Sequence, residues 1–258
     1  MLKGIEAKQS KRPCSNWRKP HGHDAGEPTG FSKISSRSGR CEQFGAGMIT
    51  GWGSHHIDCA HWAMDTEYTG PIEISGTAEF PKKGLWDVHG NFRTEALYAN
   101  GVRMIVSGDF PNGIRFEGTK GWLFVSRGNE QVTASDPVSK LQDTQALSAS
   151  DPGIIKSPIG RNEIHLYESP DHHGNWLDCI RSRKEPIAPA EVAHRSCSAC
   201  LLHHIAMETR RALHWDPKKE KFQNDDAANA MLSRPQRAPY VLPKANAANF
   251  TSYTHSHS

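Results

Sequence analysis

Hydrophobic periodicity changes character several times along the chain. From Gly45 onward SHHIDCAHWAM reads as a short helix that Ser54 caps and Met64 closes, and three- and four-residue spacings put His55, Asp58, Cys59 and Trp62 on one side. The following stretch alternates with the two-residue period of strands: PIEISGTAEF, then FRTEALYANGVRMIVSGDF, two β-rich runs joined at Asn100-Gly101, a dipeptide suited to the positive φ of a hairpin turn. IRFEG and GWLFVSRG continue the series without an intervening helix, which predicts an antiparallel meander. Residues 129–170 are polar and repeat ASDP, and they read as a long surface excursion. HGNWLDCIRSRK and AEVAHRSCSACLLHHIAMETRRAL then return to a helical period. The second has Val192, Cys197, Cys200, Leu201, Ile205 and Met207 as its apolar face. Asp225 and Asp226 suit the start of a last helix before Pro235.

This pattern gives an α+β protein, with an open, mostly antiparallel β-sheet and helices packed on one face. Residues 1–40 are a basic arm rich in Gly, Pro and Ser, with no apolar period, and read as irregular or disordered. Residues 41–243 form the folded domain and 244–258 a flexible tail.

Charge narrows the partners. Thirty-one Lys and Arg against 28 Asp and Glu leave a net charge of +3, too small and too mixed for a nucleic-acid binder. No apolar run is long enough to span a bilayer and the N-terminus lacks an apolar leader core, so the chain reads as cytoplasmic as encoded, and periplasmic if a leader is missing. The six cysteines show no framework spacing and read as reduced, mostly buried thiols. Cys197 and Cys200 form a CxxC with no second pair, which favours packing over zinc or redox chemistry. His55, His56 and His61 do not have the spacing of a zinc helix, and no metal is expected. No glycine-rich dinucleotide loop follows any strand.

GAGMITGWGSHHIDCAHWAMD resembles the signature segment of the Gfo/Idh/MocA oxidoreductases. TGPIEISGTAEFP, LYANGVRMIVSG, NGIRFEGTKGWLFVSRG, HHGNWLDCIRSRKEPIAPAEVAHRS and ANAMLSRPQRAPY extend the resemblance, in order, over about residues 41 to 243. It implies the C-terminal, substrate-binding and oligomerising domain of an enzyme whose separate Rossmann domain binds NAD or NADP. The chain alone is therefore expected to bind neither tightly and to be inactive as a truncated piece.

The family pattern Asp-x-Gly-x-His maps its catalytic histidine onto His55, with Gly51 in place of the Asp. An imidazole titrating near neutrality suits the proton transfer that accompanies oxidation of an alcohol. Trp52, His56 and Asp58 are the candidate substrate contacts, Trp52 through the affinity of an aromatic face for sugar C–H groups. The implied partners are a sugar or polyol and a second copy of the chain, held through the sheet face. The alternative is a non-catalytic carbohydrate-binding or oligomerisation module, and a lesser one has the basic arm binding an acidic partner.

Overall fold

The structure, a computed structural model, describes residues 39–239 apart from 43, 85, 127–145 and 237. The expected arm, the tail and most of the first ASDP stretch lie outside the described residues. A 3₁₀ turn at Gly47–Ile49 leads into α1 (Trp52–Ala63), followed by β1 (Pro71–Ala78), β2 (Phe92–Tyr98) and β3 (Arg103–Ser107). Then come β4 (Ile114–Gly118), β5 (Gly121–Val125), β6 (Leu147–Ala149), α2 (Pro152–Lys156), α3 (His172–Ser182) and α4 (Ala190–Thr209). β7 (Leu213–Asp216), β8 (Lys221–Phe222) and α5 (Asp226–Ala230) end the described chain.

Every strand pair is antiparallel. The meander, however, breaks after β3. One sheet has the order β3-β2-β1-β7-β8, and β4-β5-β6 form a second. β2 shows why one face of the larger sheet is covered: Phe92, Thr94, Ala96 and Tyr98 are buried at alternate positions, while Arg93 is exposed between them. Register places Ala96 and Leu213 on either side of Ile74, all three fully or almost fully buried under α4. The opposite face mixes charge with Leu97 and Ile105, which register places beside Glu73, Arg103 and Glu95. It carries Glu73, Arg93, Glu95, Arg103 and His214, with Arg103 paired to Glu95 and His214 Nδ1 3.7 Å from Glu73.

At the β2–β3 hairpin only Gly101 of the Asn-Gly pair takes a positive φ, +84°. Asn100 instead accepts the Val102 amide through its side chain at 3.1 Å.

Several expectations are corrected. α1 begins at Trp52, with Gly51 at the N-cap and no side-chain cap. Ser54 lies inside the first turn, where its hydroxyl donates to the Gly51 carbonyl at 2.7 Å instead of accepting an amide. Residues 146–170, the described part of the polar stretch, are not a featureless excursion. Leu147 pairs with Val125 in β6, and Asp151-Pro152 opens a helix, because Asp151 accepts the Gly153 amide at 2.7 Å and proline suits the first helical position. On α4, Cys197 and Leu201 are exposed, and the buried face runs instead through Val192, Cys200, Ile205 and Met207 together with Ser196, His203 and His204. Of the described cysteines only Cys41 and Cys200 are buried, while Cys59 and Cys197 are exposed. No helix among the described residues is long and apolar enough to cross a membrane.

Candidate functional site

The site begins with how α1 is seated. Trp52 starts the helix because its indole is a core side chain, 5% exposed and packed with Ile49, Phe92 and Met207. The same ring meets His55 and His56 one turn later, with centroids 5.7 and 5.5 Å away. His55 is exposed and His56 partly exposed. The structure thus brings Trp52, His55 and His56 together, with Trp52 as a buried support beneath the two imidazoles and not an open aromatic platform.

Asp58 is turned to another task. Its Oδ1 accepts the Ser196 hydroxyl at 2.6 Å and ties α1 to α4. With Gly51 at the N-cap, the first turn of α1 has neither a capping side chain nor an acidic residue. The peptide N–H groups that an Asp there would engage are left to other partners.

Beneath this turn lies a histidine the sequence reading did not single out. Gly47 takes φ +75°, and a Cβ there would stand 3.0 Å from both His89 Nε2 and Val88 Cγ2, so glycine allows the backbone to close on the imidazole. His89 Nε2 accepts the Ile49 amide at 3.4 Å and Nδ1 donates to the Gly90 carbonyl at 3.2 Å, which defines a neutral tautomer. Burial lowers its pKa to about 4.

A second buried group joins α1, α4 and β2. His61 Nε2 and the Tyr98 hydroxyl are 2.7 Å apart, and the hydroxyl also points to Met104 Sδ at 3.9 Å. Burial holds the His61 pKa down at about 4 and raises that of Tyr98. His203, fully buried, has no hydrogen-bond partner at either ring nitrogen, and desolvation, with His61 adding to it, lowers its pKa to about 3. Desolvation also pushes the Cys200 thiol up to about 12, so the CxxC does not present a thiolate from that position. These groups are internal. A periodicity reading could not separate them from surface histidines, because the burial comes from α4 crossing the sheet.

Residues 154–242 match the model of the oxidoreductase family C-terminal alpha/beta domain, Gfo/Idh/MocA type. The resemblance to the Gfo/Idh/MocA oxidoreductases is borne out. The matched stretch runs from α2 through α5, and the α1 segment with His55 lies N-terminal to it. Among solved structures, the Gfo/Idh/MocA-like chain is similar to an NAD-binding protein from Listeria innocua, with 19% identity and a TM-score of 0.44, over 68% of this chain and 49% of that one. It is also similar to an aldose-aldose oxidoreductase from Caulobacter crescentus complexed with glycerol, with 16% identity and a TM-score of 0.45, over 69% and 51%. A third is an oxidoreductase from Thermotoga maritima, with 17% identity and a TM-score of 0.40, over 62% and 44%. The chain spans about half the length of these proteins. No curated protein matches it in sequence.

The described residues do not fit a dinucleotide. All their strand pairs are antiparallel, and no strand passes through a glycine-rich turn into a helix as the pyrophosphate cradle requires.

Proposed function

We propose that this chain is the substrate side of a nicotinamide-dependent oxidoreductase acting on a sugar or polyol hydroxyl, with His55 handling the hydroxyl proton. The observation that supports it most is the placement of His55. It is the exposed imidazole on the first turn of α1, held against a buried tryptophan, at the position where the family pattern places its histidine. When an alcohol becomes a carbonyl its O–H proton must leave. A neutral imidazole within hydrogen-bond reach accepts that proton and returns it in the reverse direction. The redox cofactor, NAD or NADP, belongs to a separate domain by family resemblance, and no step on it is assigned to these residues. His56 is placed to contact a substrate hydroxyl beside His55, and Trp52 fixes the rings from below. Asp58 contributes through the α1–α4 tie. A second copy packing on the charged sheet face completes the assembly in this reading.

A non-catalytic carbohydrate-binding module is the second reading. Two observations favour it: Gly51 stands where the pattern has Asp, and Asp58 is engaged by Ser196, so neither position supplies a carboxylate to orient His55.

The test is to pair the chain with a family nicotinamide-binding domain, screen aldoses and polyols for turnover, and compare His55→Ala. The rate should fall about 100-fold or more. Turnover unchanged by His55→Ala removes the imidazole from the mechanism. Saturable sugar binding without turnover in any pairing supports the module.

A further inference from the structure

Away from α1, near the C-terminal end of α4, the side chains of Glu42, His204 and Glu208 converge. The His204 side chain is 7% exposed, its Nδ1 is buried with no hydrogen-bond partner, and its Nε2 stands 3.9 Å from Glu208 Oε1, beyond hydrogen-bond range. Glu208 lies one helical turn further along. Glu42 reaches the same place from the loop before the 3₁₀ turn, its own backbone amide fixed on Asp87 Oδ1 at 2.7 Å. One ligand atom from each of Glu42, His204 and Glu208 lies within 4.8 Å of the other two.

We propose that Glu42, His204 and Glu208 form a binding site for a divalent transition ion of the zinc type. Buried imidazoles are ordinarily hydrogen-bonded, whereas here Nδ1 is buried without such a bond and Nε2 faces the Glu208 carboxylate from beyond hydrogen-bond range. One imidazole nitrogen with two carboxylates suits zinc, which keeps a further position for water. Zinc bonds to such ligands are about 2.0–2.2 Å long, so ligand atoms around one ion stand roughly 3.5 Å apart. A closure of about 1 Å from the present spacing is needed. The glutamates supply it, since the Glu42 side chain is about half exposed and that of Glu208 28% exposed.

The electrostatics agree. Desolvation keeps His204 below the ordinary histidine range, with Arg234 adding to the effect, so the ring is neutral and its lone pair available. Burial raises the Glu208 pKa, and the Glu42 and Asp87 carboxylates nearby add to the effect. Arg234 opposes it. It donates to the Glu42 carbonyl and stands 3.9 Å from the Glu42 carboxylate. A bound ion would replace it, clipping the loop at 42 to α4. Among the described residues a second cluster of ligand types, Asp171, His172 and His173, is exposed, and Asp171 is already occupied as the α3 N-cap.

Isothermal titration of the full chain with zinc chloride at pH 7.5 tests the site. One equivalent should bind saturably. Glu42→Gln and Glu208→Gln, both on the exposed side, should each weaken binding more than about 10-fold, while Arg234→Gln should tighten it and Asp171→Asn should leave it unchanged. The proposal is overturned by any of three results: no saturable binding, affinity unaffected by both glutamate variants, or loss of binding in Asp171→Asn.

Discussion

Three imidazoles buried neutral make this fold sensitive to acid, and the size of the effect follows from their environments. His61 and His203 have no exposure and His89 has 7%. Burial lowers their pKa values from 6.5 to about 4, 3 and 4 respectively. Because the folded values lie below the unfolded one, the unfolded chain binds protons first. The stability is therefore fully present above pH 6.5, declines as pH falls through the interval to about 4, and levels off below the folded values. Between pH 7.5 and 5.5 each unfolded histidine goes from nearly neutral to nearly fully charged while its folded counterpart stays neutral. That costs about 1.4 kcal/mol per site, or about 4 kcal/mol for three, against a total stability of about 5–15 kcal/mol for an ordinary domain. Urea unfolding followed by tryptophan fluorescence at half-unit pH steps measures the slope directly. At pH 5.5 it should approach three protons taken up on unfolding. His203→Leu should reduce it by about one proton and raise stability at pH 7, since the imidazole makes no hydrogen bond that leucine would forfeit. A decline smaller than about 1 kcal/mol over that interval would refute the neutral buried state of these rings.

Tyr98→Phe removes the hydroxyl that faces His61 and leaves a buried ring nitrogen unsatisfied; a loss of about 1–3 kcal/mol is expected in urea titration, with little change in the far-ultraviolet circular dichroism. Gly121→Ala meets both a φ of +135° and a Cβ position 2.1 Å from Ser150 Oγ, itself held by the Trp122 amide. The second sheet should loosen, with a loss of about 2 kcal/mol or more and faster amide exchange in β4 and β5; unchanged exchange there would contradict the steric reading.

How far the sequence carried the reading depends on where the information was local. The β2–β3 hairpin was legible because alternation and a turn dipeptide lie within neighbouring residues, and α4 because twenty residues hold a helical period. β7 and β8 were not foreseen. They are four and two residues long, separated by the charged segment PKKE, and they owe their strand pairing to Trp215 packing on Phe222, with centroids 4.9 Å apart, and to β1 alongside. The exposure of His55 on the first turn of α1 is a local property of the helix. The roles of Trp52 and Asp58 turned on tertiary contacts with the core and with Ser196, which no spacing encodes. His89 and His204 were missed for the same reason: a histidine becomes unusual only once its neighbours have excluded water.

The order of strands in the larger sheet sets a schedule for the chain's own synthesis. β1 to β3 leave the ribosome as a ready hairpin pair, yet β1 waits for β7, whose Leu213 meets Ile74 about 140 residues later, and the covering helix α4 arrives only just before it. During that interval Phe92 and Tyr98 can meet only α1, and Ile74 and Ala96 lack the α4 side chains that cover them in the finished fold. Newly made chains are therefore most exposed to mispairing in the middle of translation, and a holding chaperone would act on the nascent three-stranded piece before it acts on the finished protein.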